Sequence, residues 1–125
     1  MEPNMSEPNA LVVARAYHRA WSSGDLANVG RYLADDLRVE VPINSYADKT
    51  DFVDAVRRTA QMTSRVDLLA ELGTDDEAML LYDMTLPIGD LRVAEHFTVS
   101  AGRITCVRQI HDTAALRAAG FGGKP

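Results

Sequence analysis

Leu91–Asp112, LRVAEHFTVSAGRITCVRQIHD, decides the fold. It reads as two long strands joined by a tight turn at Ser100–Arg103. Leu91, Val93, Phe97 and Val99 share one parity, and Arg92, His96, Thr98 and Ser100 share the other. A period of two is what a half-buried strand needs, because successive side chains leave opposite faces of a sheet. Glu95 breaks the pattern, since it stands on the apolar parity between Val93 and Phe97. A carboxyl group on a core-facing row has to be paired, neutral or beside a cavity.

Working outward, residues 77–86 (EAMLLYDMTL) form the preceding strand, with Leu80, Tyr82, Met84 and Leu86 on one face. Residues 65–72 alternate imperfectly and form another. Before these strands come three helical stretches. The first opens at Pro8-Asn9, carries the stripe Val13, Ala16, Tyr17, Ala20 and Trp21, and ends at Ser23-Gly24. That stripe leaves His18 at its edge, expected to be exposed. Asp25 is placed to cap a second helix with Leu26, Val29 and Leu33 buried, ending near Asp35-Asp36. A short strand at Leu37–Val41 closes at Pro42. A third helix spans about Asp48–Gln61, with Phe52, Val53, Val56 and Ala60 inward. Residues 1–8 are expected to be a disordered leader, 9–113 a single domain, and 114–125 a C-terminal tail with one helical turn. Helices first and a meander afterwards imply an α+β fold, a curved antiparallel sheet wrapped around helices.

The chain of 125 residues is 46% hydrophobic and 25% charged, as in a globular protein with one core. A net charge of −5 and the lack of a basic cluster argue against nucleic acid and anionic membrane as partners. No run is long enough to span a bilayer, and no signal peptide is evident, so a cytoplasmic location is expected. Cys106 stands alone and reads as a small strand residue. His18, His96 and His111 have no metal-ligand spacing, so neither a metal nor a cofactor is expected. In the last strand, parity separates Thr105, Val107, Gln109 and His111 from Ile104, Cys106, Arg108 and Ile110. Apolarity alone turns the second set inward.

Three stretches carry a resemblance: AYHRAWSSGDLANVGRYLADDLRVEVP (16–42), EHFTVSAGRI (95–104) and VRQIHD (107–112). With the element order, they resemble the SnoaL-like and ketosteroid isomerase superfamily, which has the nuclear-transport-factor-like, cystatin-like cone fold. The resemblance implies a cone-shaped α+β barrel. It turns Val107, Gln109 and His111 toward a pocket and leaves the outer sheet face to form a homodimer. Tyr17 falls where the isomerases keep an oxyanion-hole tyrosine. Glu95 falls on their second donor, an acid held neutral by an apolar site. Their general base precedes the proline that ends the first strand. Here that position is Val41, which cannot move a proton. The polyketide cyclases of the group place an acidic base on the last strand, where this chain has Gln109.

Two functions compete. In the first, a hydrophobic carbonyl compound binds among Trp21, Val41, Phe52, Val56, Tyr82, Met84, Phe97 and Val107, with Tyr46 and Asn44 on the loop above and Gln109 on the wall. Tyr17 and protonated Glu95 hold the developing oxyanion, and His111 is the base, as in an isomerase or cyclase. In the alternative the domain only binds a hydrophobic ligand, or only dimerises, because Val41 removes the usual base.

Overall fold

The computed structural model describes residues 7–121. Helix α1 (Asn9–Ser22) leads into a 3-10 helix (Leu26–Tyr32) and strand β1 (Leu33–Glu40). Helix α2 (Lys49–Met62), strands β2 (Arg65–Gly73), β3 (Glu77–Leu86), β4 (Gly89–Ser100) and β5 (Arg103–Ile110), and the short α3 (Ala114–Ala118) follow. The sheet order is β1-β5-β4-β3-β2. It is the expected α+β fold with a curved sheet, open between its edge strands β1 and β2. The leader expected over 1–8 lies mostly outside the described residues; Glu7 within it pairs with Arg15 at 3.2 Å.

The β4–β5 hairpin is built as its residues dictate. Ser100 pairs with Arg103, and Ala101 and Gly102 both take positive φ, 53° and 77°. Two left-handed central residues match the twist of a two-residue hairpin. Along β4, Val93, Glu95, Phe97 and Val99 are all buried, so the parity that singled out Glu95 holds in three dimensions.

The last strand resolves its conflict of parities with a bulge. Val99 pairs with Ile104 and Thr98 with Cys106, which leaves Thr105 as the extra residue. A bulge of this kind reverses the alternation. Ile104 therefore faces inward, yet beyond the bulge Val107 and Gln109 lie opposite the inward Phe97 and Glu95. Ile110 is 73% exposed on the other face. Further irregularities in β1 and β2 bend the sheet around the helices.

Two expectations about the N-terminal half are corrected. Leu26–Tyr32 is a 3-10 helix, and Asp25 does not cap it, its carboxylate taking the Asn28 amide instead. Three residues per turn align Leu26, Val29 and Tyr32 on the core side. Leu33 is buried too, but as the first residue of β1, so the strand starts well before Leu37. That strand pairs parallel with β5, so one ladder of an otherwise antiparallel sheet is parallel.

Helix α1 crosses the concave face. Its buried residues Ala10, Leu11, Ala14, Tyr17, His18 and Trp21 recur at spacings of three and four. Gly24, at φ 89°, turns the chain away just past its end. Helix α2 starts at Asp48, whose carboxylate accepts the Asp51 amide at 3.0 Å, and buries Phe52 and Val53. Arg57 donates to the Leu26 carbonyl at 3.1 Å and ties α2 to the 3-10 helix.

Candidate functional site

A cavity of about 160 Å³ lies between the concave face of the sheet and helices α1 and α2. Its apolar wall includes Val41, Phe52, Val56 and Met84. Tyr17, Trp21, Tyr82 and Glu95 form its buried end, while Asn44, Tyr46, His111 and Phe121 reach its more exposed end. The structure therefore brings Tyr17, Glu95 and His111 to one space, with Gln109 between the last two. Phe97 and Val107, expected on the wall, do not line it. They pair with each other across β4 and β5, fully buried, and the Tyr17 ring stands edge-on to Phe97 at 5.8 Å. Helix α1 thus covers that part of the sheet.

Glu95 is 1% exposed and accepts two hydrogen bonds. The Tyr82 hydroxyl donates to Oε1 at 2.9 Å, and the Gln109 amide donates to Oε2 at 2.9 Å. Gln109 pairs directly opposite Glu95, and Tyr82 lies diagonally, opposite Val93. Burial pushes the carboxyl up to about 7, against the pull of the Gln109 and Tyr82 bonds toward the ionised form. Glu95 is therefore poised between acid and carboxylate near neutrality.

Among the described residues, Tyr17 makes no hydrogen bond to Glu95 and its hydroxyl has no partner; the residue lines the cavity. Burial, with the neighbouring Glu95 charge, pushes it well above the ordinary phenol range. It is a neutral donor. His111 lies one position past the last β4–β5 pair, Ala94 with Ile110. Its Nδ1 is 3.0 Å from the Asp112 carbonyl. A carbonyl only accepts, so Nδ1 donates here, and in the neutral ring the lone pair is on Nε2. Val41 lines the cavity, so the position of the missing base is an apolar wall.

His18 is corrected from exposed to buried, at 5% exposure. Leu11, Ala14 and His18 are one flank of the buried stripe, at spacings of three and four. The imidazole packs against Trp21 and Tyr82 at 5.0 and 4.8 Å between centroids, and Nδ1 has no hydrogen-bond partner. Burial lowers it to about 4, opposed by the Glu71 charge. Sequence reasoning also missed Leu116 and Phe121, which close the cavity from the C-terminal segment. Their signal was two large apolar side chains in a tail of small and polar residues. Among the described residues, no group of three or more metal-ligating side chains converges, and no helix is long and apolar enough to cross a membrane.

Residues 14–107 match the family model of the SnoaL-like domain. A protein of known structure from Kribbella flavida is 30% identical, with a TM-score of 0.80 over 89% of this chain and 93% of that one. An NTF2-like protein of unknown function from Cytophaga hutchinsonii is 10% identical, at 0.78 over 90% and 97%. A steroid delta-isomerase from Pseudomonas aeruginosa is 18% identical, at 0.75 over 91% and 88%. These last two likenesses concern the fold. No curated protein matches the chain significantly. With its cavity, its open curved sheet and a family match over most of its length, the chain belongs to the SnoaL-like domain family.

Proposed function

We propose that this protein binds a small, mostly apolar carbonyl compound and moves a proton on the carbon beside the carbonyl, as an isomerase or cyclase does. The observation that carries the reading is the shared cavity of Tyr17, Glu95 and His111. Tyr17 donates to the carbonyl oxygen, and Glu95 in its protonated form donates beside it. Donors aimed at an oxygen that gains charge lower the barrier to enolate formation. His111 Nε2 takes the proton from carbon.

The spacing suits this assignment. Diagonal positions on adjacent strands are about 7–8 Å apart. A carbonyl oxygen and its α-carbon are about 2.4 Å apart. A reach of about 3 Å to the donor and about 3 Å to the base spans a similar length. The cavity volume favours one or two rings, since an apolar cavity of about 150 Å³ takes a benzene.

Proton exchange tests the reading without knowledge of the substrate. Small cyclic ketones in D2O, followed by NMR, should exchange α-protons faster with the protein. Tyr17→Phe, Glu95→Gln and His111→Ala should each slow the exchange. No enhancement, or equal enhancement in all three variants, refutes the mechanism. One observation favours a second reading, binding without chemistry: the cavity wall at the base position is Val41. Ligand binding that changes Trp21 fluorescence without any exchange would select it.

We further propose that a homodimer forms through the outer sheet face. Leu72, Met79 and Ile110 are 72%, 40% and 73% exposed there, beside Leu81 and Ala94. Sedimentation equilibrium of the parent and of Ile110→Glu tests this; an unchanged state in the variant or a monomeric parent refutes it.

A further inference from the structure

The charge on the cavity wall is unbalanced. Among the described residues, Glu95 is the sole acidic side chain that lines it, and no lysine or arginine lines it. The two groups that hold the carboxyl are a phenol and an amide, which donate hydrogen bonds without bringing charge. Buried charges are ordinarily paired. A carboxylate has about four lone-pair positions, and Tyr82 and Gln109 take two. Glu95 lines the cavity, so two positions are left for a donor bound there. Rings of Tyr17, Trp21, Tyr46, Phe52 and Tyr82 surround that space.

We propose that the same cavity is a receptor for small hydrophobic primary amines, bound as ammonium ions with the Glu95 carboxylate as counter-ion and the aromatic rings around the alkyl or aryl body. An ammonium carries three donors and no acceptor, which suits an acceptor already fixed by two neutral donors. Its charge is attracted to the face of an aromatic ring where the two meet. A carboxylate ligand meets the opposite situation, with Glu95 near and no lysine or arginine among the described lining residues to receive it. The inference goes beyond the enolisation reading and uses neither the Tyr17 hydroxyl nor the His111 lone pair.

Calorimetric titration of the full chain with 2-phenylethylamine, 2-phenylethanol and phenylacetate tests it. At about pH 8 Glu95 is ionised and the amine is protonated. The amine should bind about tenfold tighter than the alcohol, and phenylacetate weakest of all. In Glu95→Gln the ratio of amine to alcohol affinity should fall to one or below. The parent alone gives a second measurement, independent of how that variant folds. Among the described residues, the other titratable groups facing the site are Tyr17 from α1, Tyr46 from the loop before α2, Tyr82 from β3 and His111 after β5. From about pH 8 to about pH 5 amine affinity should fall about tenfold or more while alcohol affinity holds. The same fall in His111→Ala assigns it to Glu95.

An alcohol that binds as tightly as the amine, an amine preference that survives Glu95→Gln, or an amine affinity that ignores pH overturns the proposal. Ketone exchange without an amine preference overturns this proposal and leaves enolisation standing. An amine preference without ketone exchange does the reverse. No binding by any of the three overturns the small-molecule reading of the cavity and this proposal with it.

Discussion

His18 packs against the Tyr82 ring, Glu95 accepts from the Tyr82 hydroxyl, and their titrations should hide each other. His18 is held at about 4 in the fold, against 6.5 unfolded. Its neutral form is the folded one, so its contribution to stability is complete above pH 6.5 and is lost as pH falls toward 4. Glu95 is held at about 7, against 4.5 unfolded. Its protonated form is the folded one, so its contribution is complete below pH 4.5 and is lost as pH rises through 7. Between about pH 4.5 and 6.5 the native pair is neutral imidazole and neutral acid, and the unfolded pair is imidazolium and carboxylate. Both states bind the same number of protons, and the pair gives no slope. Each group alone would give about 1.4 kcal/mol per pH unit, or roughly 3 kcal/mol across the window. His18→Phe should unmask Glu95: stability then falls relative to the parent by roughly 3 kcal/mol as pH rises from 4.5 to 6.5. Glu95→Gln should unmask His18, with a rise of similar size. Urea unfolding followed by far-ultraviolet circular dichroism at several pH values measures this and avoids the fluorescence of Trp21, which touches His18. Contributions from the rest of the chain are common to the three proteins, and the comparison is made between their profiles. Three parallel pH profiles would refute the reasoning, as would variant slopes of the same sign.

Gln109→Leu removes a donor that favours ionised Glu95. The Glu95 carboxyl should then titrate at higher pH, which NMR of a labelled carboxyl would follow; an unchanged or lower titration point refutes the role. Phe97→Ala empties the fully buried contact beneath Tyr17 and should cost about 3–5 kcal/mol in urea unfolding, with a cost under about 1 kcal/mol refuting its place in the core. Gly73→Ala would set a Cβ 2.8 Å from that of Leu11, against backbone on both sides, and should cost about 1–3 kcal/mol; a neutral change refutes the tight approach of α1 to β2.

The sheet was legible because its side chains alternate, and Glu95 was legible because it violated the alternation. What stayed hidden had specific causes. The inward face of β5 depends on the bulge at Thr105, where alternation itself changes sign, so each parity reading was right on one side of it. His18 is a polar ring with no hydrogen-bond partner for Nδ1, a burial that costs free energy, and so a pattern of apolar residues leaves it out. The 3-10 helix hid behind an α-like spacing because Val29 and Leu33 are both buried, though they belong to different elements. The cavity wall was legible where it comes from α1, α2 and the sheet. Leu116 and Phe121 were not, because a five-residue helix gives too few turns for a period.

Glu95 was expected as a neutral donor, and the two bonds it accepts are those of a carboxylate. Tyr82 reconciles these. Its hydroxyl both donates and accepts, whereas the Gln109 NH2 only donates. When Glu95 is ionised, Tyr82 points its proton at Oε1. When Glu95 takes a proton on Oε1 and the cavity holds no acceptor for it, the Tyr82 hydroxyl rotates and accepts it, and no heavy atom moves; a carbonyl oxygen in the cavity receives that proton in place of Tyr82. The raised proton affinity of both buried tyrosines keeps them from surrendering their own protons in the exchange. The carboxyl thus changes from acceptor to donor at fixed geometry, and the ligand decides which form is stable. A carbonyl oxygen in the cavity favours the acid, and an ammonium favours the carboxylate. Tyr82→Phe should therefore weaken both kinds of ligand response, and should do so without enlarging the cavity. In that variant Oε1 has no partner from β3, burial acts on the carboxyl with one donor fewer, and its titration should move to higher pH. A Tyr82→Phe protein whose Glu95 titrates as in the parent would mean that the hydroxyl is a bystander to the proton it faces.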